Sequence, residues 1–145
     1  MSLLTTDRVL IPIANEEDAT ETCDAIVRYF ADQSHSTHPK VNLVHVIEKT
    51  EGYMDKAPLE AREQQAQRVF EIASDRLEEA GYEIETELVY STNVVESIVE
   101  TAARTNADAI VFLPRDGGRL SVLLSGNMTS KLVSSADIPV IVLPE

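Results

Sequence analysis

The sequence predicts an α/β fold in which a doubly wound parallel sheet lies between two layers of helices. Five candidate strands alternate along the chain with four segments of helical periodicity. Strands that alternate with helices form a parallel sheet with both faces covered. The chain has 145 residues, of which 43% are hydrophobic, so it is long enough for one core. We therefore expect a single three-layer domain over residues 1–145.

The first strand and the first helix are predicted from an apolar run, a cap and a periodic stretch. Residues 9–14 are a continuous apolar run. Pro12 is expected near the end of that strand, because proline cannot donate to a sheet ladder. Asn15 is a typical N-cap, and the acidic residues after it suit the first turn of a helix. Helical spacing of apolar residues around Cys23 predicts a helix over about residues 17–33.

The middle of the chain contains two predicted strands and a long predicted helix. Residues 41–47 are apolar enough for a buried strand. Residues 58–80 carry one apolar stripe, with Pro58 suited to the start of a helix and Gly81 to its C-cap. Residues 82–90 place glutamates at alternate positions, which predicts a strand with one solvated face.

The last third contains two helices and two strands. Asn93 and Glu96 are close to a capping box and precede a helical apolar face. Residues 108–113 predict the fourth strand. A helix is expected over 126–135 and the last strand over 139–143.

The net charge of −13, from 25 acidic and 12 basic residues, limits the classes of partner. Nucleic acids and anionic membranes both attract basic proteins, so neither is an expected partner. No apolar run approaches the roughly 18–20 residues of a membrane span. The start has no basic and apolar leader pattern, so no secretion signal is predicted. The acidic surface also suggests the hypothesis of a salt-rich cytoplasm.

Cysteine and histidine usage predicts neither a disulfide nor a metal site. Cys23 is the only cysteine, so an internal disulfide is impossible and a reducing cytoplasm is the expected location. His35 and His38 lie in a polar segment, and His45 lies on a predicted strand. We interpret the first two as surface residues and the third as a core or rim residue.

The order and spacing of these segments resemble the universal stress protein family over nearly the whole chain. That family carries the signature Gly-x2-Gly-x9-Gly-Ser/Thr between the fourth strand and the following helix. The aligned positions here are Leu113, Asp116, Gly126 and Asn127, so the spacing is intact and three of the four residues have changed. The resemblance implies a five-stranded sheet of order 3-2-1-4-5, similar to the adenine nucleotide α-hydrolase-like fold.

The resemblance also implies where a ligand would bind, at the carboxyl ends of the strands where the strand order reverses. Nucleotide-binding members hold adenine with an aspartate at the end of the first strand, and Ala14 occupies that position here. Neighbouring Asn15 either supplies a polar group or caps the helix. A backbone contact near Val46 is compatible with any side chain.

The phosphate loop carries the changes with the largest expected effect. Leu113 is expected to bring bulk, and Asp116 a negative charge that repels an anion by roughly 4 kcal/mol at 4 Å and a dielectric constant near 20. Gly117 offers an alternative turn, and Arg115 offers a compensating charge. The backbone N–H groups of residues 126–129 are a candidate anion seat. Alternatively, the glycine at this place only permits a tight turn into the helix. The candidate site residues are Ala14, Asn15, Val46, Leu113, Arg115, Gly117, Gly126, Asn127, Met128 and Thr129.

The last strand predicts self-association. It is apolar and lies at a sheet edge in this topology, and an exposed apolar edge must be paired or covered. Pairing with the same strand of a second copy satisfies this requirement with twofold symmetry. The family resemblance also implies such dimers. The candidate interface residues are Ile138, Val140, Ile141, Val142 and Leu143.

The sequence thus favours a binding or regulatory protein over an enzyme. We expect a homodimer of the stress response, open to further protein partners, in which ATP binding is weakened or lost. The alternative is an ATP or AMP sensor that uses residues 126–129 as its phosphate seat. A nucleotide hydrolase is the least favoured interpretation, because no positioned general base is evident. No cofactor is certain.

Overall fold

Strands and helices alternate without exception through residues 7–31, 39–49, 58–114 and 126–144, which the computed structural model describes. In chain order the elements are β1 (Arg8–Pro12), α1 (Glu16–Ala31), β2 (Lys40–Glu48), α2 (Leu59–Glu79), β3 (Ile84–Ser91), α3 (Val94–Arg104), β4 (Ala109–Phe112), α4 (Gly126–Ser135) and β5 (Val140–Val142). This order confirms the predicted alternation, and β1 ends at Pro12 as expected.

All five strands are parallel and lie in the order β3-β2-β1-β4-β5, as the sequence predicted. The chain builds the sheet outward from β1 to β3, then crosses to the other side of β1 for β4 and β5. In the β1–β4 pair, Val9 lies beside Ala109 and Leu10 beside Ile110. The strand order therefore reverses between β1 and β4, and this position defines the crevice for a ligand.

Each face of the sheet is covered by one pair of helices. On one face, α1 and α2 pack against alternate residues of the inner strands, including Val9 and Leu43. On the other face, α3 and α4 pack against the residues in between, including Leu10 and Phe112. Because both faces are buried, the inner strands are mainly apolar rather than alternating, although β2 also buries Asn42 and His45.

The predicted caps are confirmed. Asn15 Oδ1 accepts the backbone N–H of Asp18 at 2.8 Å at the start of α1. Asn93 Oδ1 accepts the backbone N–H of Glu96 at 3.1 Å at the start of α3. Gly81 follows α2 with a φ of 97°, a left-handed conformation that glycine adopts without steric cost.

The prediction that β3 has one solvated face is only partly correct. The strand begins at Ile84, and Thr86 and Tyr90, expected on the dry face, are exposed. Val89, expected on the wet face, is half-buried against the core beneath α3 and α4. The reason is that β3 is an edge strand, so the helices cover neither of its faces fully. The exposed carboxylate of Glu85 forms an ion pair with Lys40 at 3.1 Å.

Candidate functional site

The chain that follows β1 is fixed by hydrogen bonds from β2. The Ile13 N–H donates to the carbonyl oxygen of Val44 at 2.9 Å, and the Ile13 carbonyl oxygen lies 2.8 Å from His45 Nδ1. His45 is buried, and burial lowers the pKa of its ring, an effect that Arg62 reinforces and the bond to Ile13 opposes. A carbonyl oxygen only accepts, so the neutral ring carries its proton on Nδ1. The expected role of His45 as a core or rim residue is confirmed.

The next residue, Ala14, is bound by a buried carboxylate. Its N–H donates to Asp18 Oδ2 at 2.7 Å, and Asp18 Oδ1 accepts the hydroxyl of Thr22 at 2.7 Å. Asp18 is only 1% exposed, so these bonds compensate the desolvation of its charge. Asn15 caps the same helix, which confirms the capping interpretation of that residue. The N–H of Ala14 is therefore used within the protein and does not face a ligand.

Ala14 and Val46 lie against the same small apolar pocket at the carboxyl edge of the sheet. Its volume is about 10 Å³, roughly the room of one water molecule. The lining residues are Pro12, Ile13, Ala14, Val44, Val46, Val94 and Ile98. All of these side chains are apolar, so none of them donates to or accepts from the polar edge of a base. Ligand pockets typically have volumes of roughly 300–1,000 Å³, so this pocket is too small to enclose a nucleobase.

The expectation that Leu113 brings bulk to the anion site is wrong. Its side chain is buried in the core beneath α1 and α2, together with Ile13 and Leu143. The extra volume is therefore accommodated by core packing. Arg115 and Gly117, two further candidates of the phosphate loop, lie outside the described residues, as does Asp116.

The helix expected at the anion seat does begin at Gly126. The first N–H groups of any helix have no partner within it, so residues 126–129 have the backbone geometry on which the candidate anion seat depends. The side chains of Asn127 and Met128 lie outside the described residues, and Thr129 is half-buried. One turn further on, Lys131 is exposed.

The predicted interface residues of the last strand differ in exposure. Val142 is 45% exposed, whereas Leu143 is 2% exposed and belongs to the core. Ile138 and Val140 pack beneath α3 and α4, and Ile141 packs on the opposite face. The prediction of Leu143 as an interface side chain is therefore wrong, because the chain's own core already covers it.

Two functional contacts were missed from the sequence. Asp18 was interpreted only as a first-turn acid, although it binds the backbone of Ala14. An acidic residue three positions after an asparagine cap is the available signal, since such a side chain reaches back past the cap. Ile98 was assigned to a helical face without recognition that it closes the pocket.

In the part of the chain that the structure describes, we find neither a group of residues that could hold a metal ion nor a membrane-spanning helix. Within it, no group of three His, Cys, Asp or Glu residues is arranged to hold a metal ion. His35 and His38 lie outside that part. Among the described helices, none is long and apolar enough to cross a membrane.

The parallel sheet with its crevice beside β1 defines an α/β protein of the type that binds ligands at the carboxyl ends of its strands. Comparison with known proteins identifies the family. The sequence profile of the universal stress protein family matches residues 5–144. The chain therefore belongs to the universal stress protein family.

Individual relatives agree with this assignment. Stress response protein NhaX of Bacillus subtilis (strain 168) is 46% identical over 48 residues, which are 33% of this chain and 29% of that protein. A universal stress protein family structure from Burkholderia pseudomallei has a TM-score of 0.72 at 22% identity, covering 97% of both chains. The Archaeoglobus fulgidus universal stress protein in complex with dAMP has a TM-score of 0.69 at 19% identity, covering 94% of this chain and 97% of that one. At these identities the structural likeness supports the fold alone.

Proposed function

We propose that this protein acts in the stress response as a homodimeric binding protein whose ATP binding is weakened or lost. The observation that carries the proposal is the closed end of β1. There, the Ala14 N–H is bound by buried Asp18, and the adjoining pocket is apolar with a volume of about 10 Å³. A base in this place would find neither the carboxylate that the family resemblance implies nor a free N–H at Ala14.

The phosphate loop supports the same conclusion. A related universal stress protein binds dAMP, so the fold itself accommodates an adenine nucleotide. In this chain three of the four signature positions differ, and the family alignment leads us to expect a negative charge from Asp116 near the anion seat. The repulsion of roughly 4 kcal/mol between two charges 4 Å apart exceeds the net gain from two or three neutral hydrogen bonds.

The reactive side chains in the described residues favour binding over catalysis. Cys23 is fully buried, and burial, with the negative charges of Asp18 and Asp24, raises the pKa of its thiol to about 12. A nucleophile of this kind stays protonated and out of reach of a substrate. His45 uses Nδ1 within the fold and is buried as well. The single cysteine also supports a cytoplasmic location as part of this proposal.

The exposed edge of β5 supports the homodimer. Among the strands of the described residues, β5 pairs only with β4, so its other edge offers backbone N–H and C=O groups to a second strand. The Val142 side chain adds exposed apolar surface at the same edge. Light scattering at working concentration is expected to give the mass of two chains. A monomeric mass would refute this part of the proposal.

The alternative function is an ATP or AMP sensor, and one observation favours it. Helix α4 begins at Gly126, and the positive end of a helix attracts a phosphate whatever the side chains around it. In this case binding would depend on Arg115 and Gly117 for charge and turn geometry.

Calorimetric titration with ATP and magnesium in high salt distinguishes the two functions. We expect no binding at millimolar ATP in the natural protein, and a measurable gain in the double variant Ala14→Asp with Asp116→Gly. The matched control is Ala136→Asp with Asp137→Gly, which makes the same two exchanges beyond the end of α4. Micromolar binding by the natural protein would establish the sensor instead.

A further inference from the structure

A groove of about 650 Å³ lies between α3 and α4 near the carboxyl ends of β2 and β3, and it shares Val94 with the small pocket. Its wall on the α3 side includes Val95 and Val99, and its wall on the α4 side includes Lys131. The volume falls within the roughly 300–1,000 Å³ of typical ligand sites. In contrast to the pocket at Ala14, the groove formed by the described residues already has the volume of a ligand site.

Acidic side chains surround the apolar part of the groove. Glu48, at the end of β2, and Glu96 and Glu100, on α3, are exposed at its rim. Glu96 and Glu100 are four residues apart, so their side chains lie on the same face of the helix. Among the described lining residues, three glutamates and Lys131 carry a net charge of −2.

Of these three glutamates, Glu100 interacts electrostatically with Arg104, whereas Glu48 and Glu96 have no such partner among the described residues. Elsewhere glutamates pair with arginines, as Glu16 does with Arg68 at 3.1 Å. Within the described residues, no ion pair or hydrogen bond engages the side-chain carboxylates of Glu48 and Glu96. Exposed carboxylates around apolar side chains are complementary to a partner segment that carries both basic and apolar side chains.

We propose that this groove docks a basic segment of a partner protein. Apolar side chains of the segment would lie on Val95 and Val99, and its lysine or arginine side chains would meet the three glutamates. The charge of the rim repels nucleotide phosphates, so the groove and the anion seat of α4 serve different ligands. The inference rests on the proposed function as a protein that acts by binding partners.

Fluorescence anisotropy with a labelled peptide of alternating leucine and arginine tests the proposal. We expect the double variant Glu96→Gln with Glu100→Gln to weaken binding by about three- to tenfold, the effect of two exposed charge pairs. The matched control is Glu78→Gln with Glu79→Gln, which removes two exposed charges from α2 and should leave binding unchanged. Lys131→Gln should tighten binding, a change of sign that damage to the fold would not produce.

Three results would overturn the proposal. Equal weakening by the α2 control would mean diffuse attraction to an acidic surface. Equal binding of a peptide with glutamate in place of arginine would exclude recognition by charge. Competition by spermidine at the concentration of the peptide itself would mean that the groove selects free polyamines instead. The peptide assay involves neither ATP nor the edge of β5. A failure to bind peptide would therefore not affect the separate test of nucleotide binding.

Discussion

Asp108 and Arg8 bind each other's backbone at the amino ends of β4 and β1. Asp108 Oδ2 accepts the Arg8 N–H at 3.0 Å, and the Arg8 carbonyl oxygen accepts the Asp108 N–H at 2.7 Å. The same carboxylate oxygen accepts the Asp7 N–H at 3.0 Å. The two strands that flank the crevice are thus fixed at the ends farthest from it, and the stability of this contact can be measured apart from ligand binding.

Asp108→Ala is expected to lower the free energy of unfolding by about 1–3 kcal/mol, since it leaves two backbone donors without their acceptor. Asp108→Asn should cost less, because one oxygen acceptor remains. Urea unfolding measures both changes. Asp137→Ala, at an exposed carboxylate, is the control. A loss for Asp108→Ala no larger than that of the control would contradict the prediction.

Adjacent residues of α4 should respond very differently to truncation. Leu132 is fully buried and Val133 is 57% exposed. Leu132→Ala is expected to cost about 2–5 kcal/mol through lost burial and a residual cavity, whereas Val133→Ala should change stability by about 0.5 kcal/mol or less. Thermal or urea unfolding of the pair is the measurement. Similar losses at the two positions would show that α4 packs with another face toward the sheet.

His45 should make stability fall as the solution becomes mildly acidic. Burial lowers the pKa of its ring below the ordinary 6.5, so below that value the unfolded chain binds the proton more readily. The contribution of His45 is complete above pH 6.5 and is lost as pH falls through the folded-state value. The ordinary pKa values of carboxyl groups lie lower, near 4. Urea unfolding on either side of pH 6.5 should show a smaller fall for His45→Gln, and an equal fall would disprove the assignment.

Cys23 should report on global unfolding. Its thiol is buried with a pKa of about 12, so an aromatic disulfide reagent is expected to react only as fast as the protein opens. Protein unfolded in urea should react at once. Exposed Ser134, changed to cysteine in a Cys23→Ala background, supplies the accessible reference. Rapid reaction of Cys23 in the folded protein would place the thiol near the surface.

Salt should stabilise the protein. The net charge is −13, so acidic side chains across the surface repel one another, and salt screens this repulsion. The midpoint of thermal unfolding is expected to rise from low salt to molar potassium chloride. Sucrose of equal osmolality serves as the uncharged comparison. A midpoint that does not rise would remove the basis for the salt-rich cytoplasm hypothesis.

Much of the fold was predictable because it depends on local patterns. The caps at Asn15 and Asn93 act over three residues, and both are correct. The phase of a strand is harder to predict, because a shift by one residue exchanges its two faces. Leu143 was assigned to an interface together with its whole strand, and Leu113 to an anion site from its place in the family signature, although both side chains are buried in the core. The contact between Asp18 and Ala14 depends on how the turn folds back, which apolar periodicity does not encode.

The two edges of the sheet carry opposite surface chemistry. Along β3, Glu85 and Glu87 form ion pairs with Lys40 and Arg104, and a new strand there would meet charged side chains. The edge of β5 is short and apolar. An assembly that adds strands at one edge only is complete after two copies, because each copy presents the charged edge outward. In the proposed homodimer, the two charged edges would therefore prevent growth into fibres.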